Sequence, residues 1–145
     1  MSTRDDIESF LDEYQSTLSA FDAERTAALW GVPGTIVGDE FVGALHSREE
    51  MARGLAQAHP MYQMLGLSRV DHTLLEFAEL TSALARARVR WHFYDGDDVL
   101  LTDSDYEYLL RRDDEGWRTY VAVAIDATDK LARVAADRGI RLPGM

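Results

Sequence analysis

Apolar residues recur at Ile7, Phe10, Leu11, Tyr14, Leu18 and Phe21, with the three-, four- and seven-residue spacing of one stripe on an amphipathic helix. Thr3 and Asp6 resemble its cap. Asp22 offers a second N-cap, and the helix formers of AERTAALW run on until Gly31 and Pro33 stop them. From Thr35 the pattern shortens. TIV, the turn residues GDE and then FVGAL predict a small hairpin. Ser47 and Glu50 form the S-x-x-E capping box of a third helix that carries Met51, Leu55, Met61 and Met64, with Pro60 expected to kink or end it. From about Ser68 to Ile125 the chain is strand-like almost throughout. Ala127 to Arg138 predicts a short terminal helix before the tail GIRLPGM.

Two of the strands declare their pairing. RARVRWHF, with arginine at positions 86, 88 and 90, is separated by YDGDD from LLTDSDYEYLL. A two-residue turn at Gly96 and Asp97 sets Arg90 against Asp103, Arg88 against Asp105 and Arg86 against Glu107, a cross-strand charge ladder. The other face then sets Phe93 against Leu100, Ala87 against Tyr106 and Ala85 against Tyr108, so that small side chains oppose large ones. WRTYVAVAI follows as a third strand, pairing Tyr106 with Val123 and Tyr108 with Val121. RVDHTLLEFAEL completes the sheet on the other side, with its facing open, because both of its alternations mix polar and apolar residues.

Composition narrows the partners. At 145 residues and 46% hydrophobic content the chain is one domain, 1–145, with its core in about 7–125. Acidic residues outnumber basic ones 26 to 15, a formal charge of -11, which repels nucleic acid and anionic membrane. Cysteine is absent, which excludes disulfides and thiolate ligands. MSTRDDIESF lacks an apolar leader core, and no run of 18 apolar residues occurs, so a soluble, cytoplasmic protein is expected. The four histidines show no ligand spacing, so no metal is expected, and without a glycine-rich phosphate loop or a nucleophile elbow no cofactor is expected either.

Two helices, a short hairpin, a third helix and long antiparallel strands ending in a GWR strand follow the order of the NTF2-like fold. The segments FDAERTAALWGVP, SRVDHTLL, ALARARVRW and YEYLLRRDDEGWRTYVAV resemble NTF2-like bacterial domains related to SnoaL-like and ketosteroid isomerase-like proteins. The resemblance implies an α+β cone: a curved antiparallel sheet packed on three N-terminal helices, a short C-terminal helix, and a conical pocket. Ketosteroid isomerase carries a tyrosine in the first helix, matched by Tyr14, and an aspartate base near the first hairpin, matched by Asp39. Its buried acid on a later strand has no counterpart, since Ser104 or Tyr106 stands there. Limonene epoxide hydrolase chemistry finds Thr119 in place of one aspartate and none on RARVRWHF. The scytalone dehydratase pattern of tyrosines and histidines around a pocket is looser but nearer.

Each candidate has a plainer role beside it. Tyr14 donates to a developing oxyanion or fills the core. Asp39 serves as base only if buried, and Gly38, Asp39 and Glu40 suit a hairpin turn. His72 matches a strand position where NTF2-like relatives present a histidine to the cavity, with a pKa suited to acid or base work; otherwise it is a half-exposed strand residue. Trp30, Tyr62, Met64, Trp91, Tyr106 and Tyr108 are the expected ligand-contacting set, and aromatic residues in such a pattern also simply fill a core. The expected function is binding of a small, mostly apolar organic molecule, with isomerase or dehydratase acid–base chemistry open. The alternative is a non-catalytic ligand-binding or dimerisation module, and a homodimer is expected in either case.

Overall fold

The computed structural model describes residues 2–140; the end of the tail, 141–145, lies outside the described residues. The first helix, α1 (Thr3–Ser19), buries the stripe of Ile7, Phe10, Leu11 and Tyr14. Its cap is Ser2, in place of Thr3 and Asp6: the Asp5 N–H donates to the Ser2 hydroxyl and the Asp5 carboxylate accepts from the Ser2 N–H, closing a box one residue earlier. Helix α2 (Ala23–Ala28) is capped by Asp22. The chain reverses between α1 and α2 at Phe21, which adopts a positive φ of 53°.

Strand β1 (Trp30–Val37) begins five residues before the expected Thr35, because Gly31, Val32, Pro33 and Gly34 extend the strand through an irregular stretch in its pairing. Gly31 has a specific reason to lack a side chain: a Cβ there would sit 2.2 Å from the ring of Tyr120. Strand β2 (Val42–Leu45) closes the expected hairpin with β1. Helix α3 (Arg48–Met64) runs through Pro60 to Met64, so the proline does not end it. Ser47 caps it as expected, with the Glu50 N–H donating to the Ser47 hydroxyl at 3.1 Å, but the reciprocal half of the box shifts by one residue: the Glu50 carboxylate accepts from the His46 N–H at 3.2 Å.

Four long strands follow: β3 (Arg69–Thr81), β4 (Leu84–Tyr94), β5 (Leu100–Asp113) and β6 (Gly116–Ala124), then α4 (Ala127–Asp137). The six strands form one sheet in the order β2-β1-β6-β5-β4-β3. Its pairings are antiparallel except that β1 runs parallel to β6. Among the described residues no helix is long and apolar enough to cross a membrane.

The charge ladder exists, with a register two residues away from the one expected. Arg90 pairs with Asp105, Arg88 with Glu107, Ala87 with Tyr108 and Ala85 with Leu110. The turn is longer than two residues because the Asp95 carboxylate accepts the N–H groups of Asp97 (2.8 Å) and Val99 (3.0 Å), while Asp98 takes φ 62°. A bulge beside Phe93 absorbs the remaining offset. Since a shift of two preserves facing, the arginines stay outside and the aromatics inside. The β5–β6 register is off by one: Tyr108 pairs with Ala122 and Tyr106 with Ala124, and a bulge before Leu110 leaves Tyr120 without a partner. Ala122 therefore lies in the core, and Val121 pairs with Leu109 on the outer face.

The core lies between the inner face of the sheet and the helices, with Ile7, Leu11, Met51, Val89, Trp91 and Leu110 each 2% exposed or less. Each such side chain contributes about 1.5–3 kcal/mol on burial. A second cluster of Leu65, Val134 and Ala135 fastens α4 to the end of α3.

Candidate functional site

A cavity of about 390 Å³ opens between α1, α3 and the inner face of the sheet. It exists because small residues sit where the aromatic side chains project: Ala122 on β6, and Gly54 and Ala58 on α3, leave a space that Trp30, Trp91, Tyr106 and Tyr108 line without filling. Half-exposed Phe41 lies at its rim. A larger hollow of about 800 Å³ between α2 and α3 is an open groove walled largely by alanine, and no comparable set of hydroxyls converges on it.

Four phenols and two indoles give the cavity its polar chemistry. The Trp30 indole N–H donates to the Tyr14 hydroxyl at 2.9 Å, and the Trp91 indole N–H donates to the Tyr108 hydroxyl at 2.8 Å. A phenolic oxygen occupied as acceptor still has its own hydrogen to give. Neither hydroxyl gives it to any described residue, and those of Tyr62 and Tyr106 make no hydrogen bond among the described residues. Burial pushes the Tyr14 phenol up to about 12, against the opposing hydrogen bond from Trp30. It also raises Tyr62, Tyr106 and Tyr108, so all four are proton donors at neutral pH. The rings support one another: Tyr106 stacks on Tyr108 with centroids 6.0 Å apart, and Tyr14 leans on Trp91 at 5.7 Å.

Among the described residues no Asp, Glu, Lys or Arg lines this space. The one imidazole in it is His59, whose ring meets the edge of Phe21 at 5.3 Å. Desolvation holds its pKa below the ordinary value, favouring the neutral ring.

The expected residues thus separate. Tyr14, Trp30, Tyr62, Trp91, Tyr106 and Tyr108 share the cavity wall. His72 does not line it: its side chain is 6% exposed and is covered by α1, with Nδ1 2.6 Å from the Gln15 side-chain Oε1. Asp39 sits exposed in the β1–β2 turn, where Gly38 N–H bonds to the Phe41 carbonyl, and it does not reach the cavity. Met64 is 53% exposed at the end of α3, pointing away from this space. His59 is the residue that sequence reasoning passed over. The signal was present: Met51, Leu55, Ala58, His59 and Tyr62 fall on one helical stripe once the helix is allowed to continue through Pro60.

The family model described as NTF2-like protein (DUF6841) matches residues 4–127. The chain belongs to this NTF2-like family. No curated protein matches it. Among solved structures, it is similar to an NTF2-like protein of unknown function from Shewanella oneidensis, at TM-score 0.70 and 16% identity over 86% of this chain and 100% of that one. It is also similar to an NTF2-like protein with a cystatin-like fold from Novosphingobium aromaticivorans, at TM-score 0.65 and 20% identity over 90% of this chain and 87% of that one. A ketosteroid isomerase-like protein from Erwinia carotovora atroseptica aligns at TM-score 0.60 and 17% identity over 82% of this chain and 92% of that one. At these identities the likeness establishes the NTF2-like fold alone.

Proposed function

We propose that this NTF2-like protein binds a small, flat, mostly apolar and uncharged organic molecule whose acceptor oxygen is held by Tyr14 and Tyr108. The observation that carries the reading is the pair of relays Trp30 to Tyr14 and Trp91 to Tyr108, which occupy each phenol as acceptor and leave its hydrogen for a ligand. A cavity of about 390 Å³ that, among the described residues, holds no carboxylate or cation disfavours charged ligands, whose desolvation it would not repay. Titration with neutral bicyclic ketones and phenols, read by the fluorescence of Trp30 and Trp91, tests it. Saturable binding that weakens about tenfold in both Tyr14→Phe and Tyr108→Phe is expected, the loss of one hydrogen bond to a desolvated acceptor. Binding unchanged in both variants refutes the reading.

The neutral His59 in the same cavity favours acid–base catalysis as a second reading, with the imidazole taking a proton from carbon while a phenol steadies the oxyanion. Isomerisation and dehydration both need that pair. Deuterium exchange into the α-carbon of a bound ketone, lost in His59→Gln, separates an enzyme from a binding module. The protein acts in a cytoplasmic setting as a homodimer that pairs the outer sheet faces, where Val121 and Val123 of β6 lie beside half-exposed Leu109. Sedimentation at increasing concentration tests the dimer.

A further inference from the structure

We propose that Glu8, Asp12 and His72 form a binding site for a first-row divalent transition-metal ion, outside the cavity, where α1 crosses β3. The expectation of no metal rested on histidine spacing along the chain, whereas this group is assembled across two elements. Glu8, Asp12 and Gln15 follow one another at four and three residues on α1, a polar stripe directly beside the apolar stripe of Ile7, Leu11 and Tyr14. His72 meets that stripe from β3, on the same inward face as Val70 and Leu74.

The imidazole is set for ligation. Nδ1 lies 2.6 Å from the Gln15 side-chain Oε1, an acceptor, which favours the tautomer with its hydrogen on Nδ1. That is the usual arrangement by which an outer partner fixes the tautomer of a ligating histidine. Nε2 then carries a lone pair, and it points at two carboxylates, 3.4 Å from Glu8 Oε2 and 3.9 Å from Asp12 Oδ1. A lone pair facing two anions is repulsive unless positive charge lies between them. Glu8 Oε2 stands within hydrogen-bond reach of Nε2, so a proton and a metal ion compete for the same place.

A metal ion fits the spacing. The three ligand atoms lie within 4.8 Å of one another. Ligands about 2.1 Å from a tetrahedral ion stand roughly 3.4 Å apart, the Glu8–His72 separation already present. Only Asp12 has to swing inward, and its side chain is 73% exposed and free to do so. Imidazole with two carboxylates suits Zn²⁺, Mn²⁺, Co²⁺ or Ni²⁺; Mg²⁺ and Ca²⁺ prefer oxygen throughout. The outward side faces water, which supplies the remaining ligands.

The test uses the whole chain stripped with a chelator, titrated with Zn²⁺ and, separately, Mg²⁺ by calorimetry, with thermal unfolding in parallel. One Zn²⁺ per chain, a melting temperature that climbs with Zn²⁺, and no comparable response to Mg²⁺ are expected. Glu8→Gln and Asp12→Asn change surface side chains and leave the fold intact; each should weaken Zn²⁺ at least tenfold. Gln15→Leu, altering the outer partner alone, should cost about 10–100-fold. Zn²⁺ bound equally by Glu8→Gln and Asp12→Asn would assign it to the other histidines and overturn the site. Absence of binding at millimolar Zn²⁺, or equal affinity for Mg²⁺, overturns it as well.

Discussion

The two faces of the β4–β5 hairpin are written by alternate residues of the same two strands, yet they do different physical work. Inward, Ala85, Ala87, Val89 and Trp91 are 2% exposed or less, and Trp91 holds Tyr108 by a hydrogen bond. Outward, Arg86 and Arg88 grip Glu107 at 2.6 and 2.8 Å and Arg90 grips Asp105 through two nitrogens, with the arginine side chains about two-fifths exposed. The inner face stabilises by burial and shapes a cavity. The outer face contributes little per contact, because water already solvates those charges, and it acts mainly on register and solubility. Matched truncations should expose the asymmetry.

The largest expected effect is at Trp91. Trp91→Ala removes a buried indole, the donor to Tyr108 and the ring against both Tyr14 and His72, and should cost about 3–5 kcal/mol. Arg88→Ala, three residues away on the same strand and on the opposite face, should cost about 1 kcal/mol or less. Denaturant midpoints with an unchanged slope check both. Equal losses would abolish the distinction between the faces.

Alkaline pH sharpens the same contrast. Burial raises the Tyr14 phenol from 10.0 to about 12 in the folded chain, so the unfolded chain loses its proton first. A raised folded-state pKa gives stability that is complete below pH 10.0 and is lost as pH rises toward about 12. Two units correspond to about 2.7 kcal/mol at most. Tyr14→Phe should flatten the decline of stability above pH 10, and an unchanged alkaline limb would show the phenol to be solvated.

How much of this was legible in the sequence differs between the faces for a related reason. The element order, the inward aromatics and the outward arginines follow from period and composition, because a two-residue register error leaves facing intact. Bulges are what period alone does not announce. RVDHTLLEFAEL shows no clean alternation because a bulge between Leu74 and Glu76 changes its phase: Val70, His72 and Leu74 face inward, and then Phe77 does. The same device next to Leu110 moved Ala122 into the cavity wall. In the site, tyrosines and tryptophans on regular stripes were found by spacing, whereas His59 was hidden behind a proline that the helix passes through. His72 was a candidate only through the family resemblance, the facing of its strand being open; that α1 would cover it with Gln15, Glu8 and Asp12 depended on how a helix stripe meets a strand.

The smallest expected effect lies in the ladder itself. Arg90 and Asp105 make a two-point contact at 2.8 and 3.0 Å, while Asp105 also accepts the longer-range field of Lys130 and Arg88. A double-mutant cycle with Arg90→Ala and Asp105→Ala should give a coupling of about 0.2–1 kcal/mol at neutral pH. The Arg90 hydrogen bond, partly offset by desolvation, holds the Asp105 carboxyl below its ordinary 3.8. A lowered folded-state pKa gives stability that is present above pH 3.8 and lost as pH falls through the folded-state value, so the coupling should fade in that acid window. Glu107, lowered from 4.5 first by its bond to Arg88 and further by Arg86, fades over the range beginning just above it. The ladder therefore weakens in acid where the phenols are untouched, and the phenols weaken in alkali where the ladder is intact. A coupling that survives acidification below both carboxylate ranges would mean that Arg90 is held by packing of its stem, and the outer face would then share the physics of the inner one.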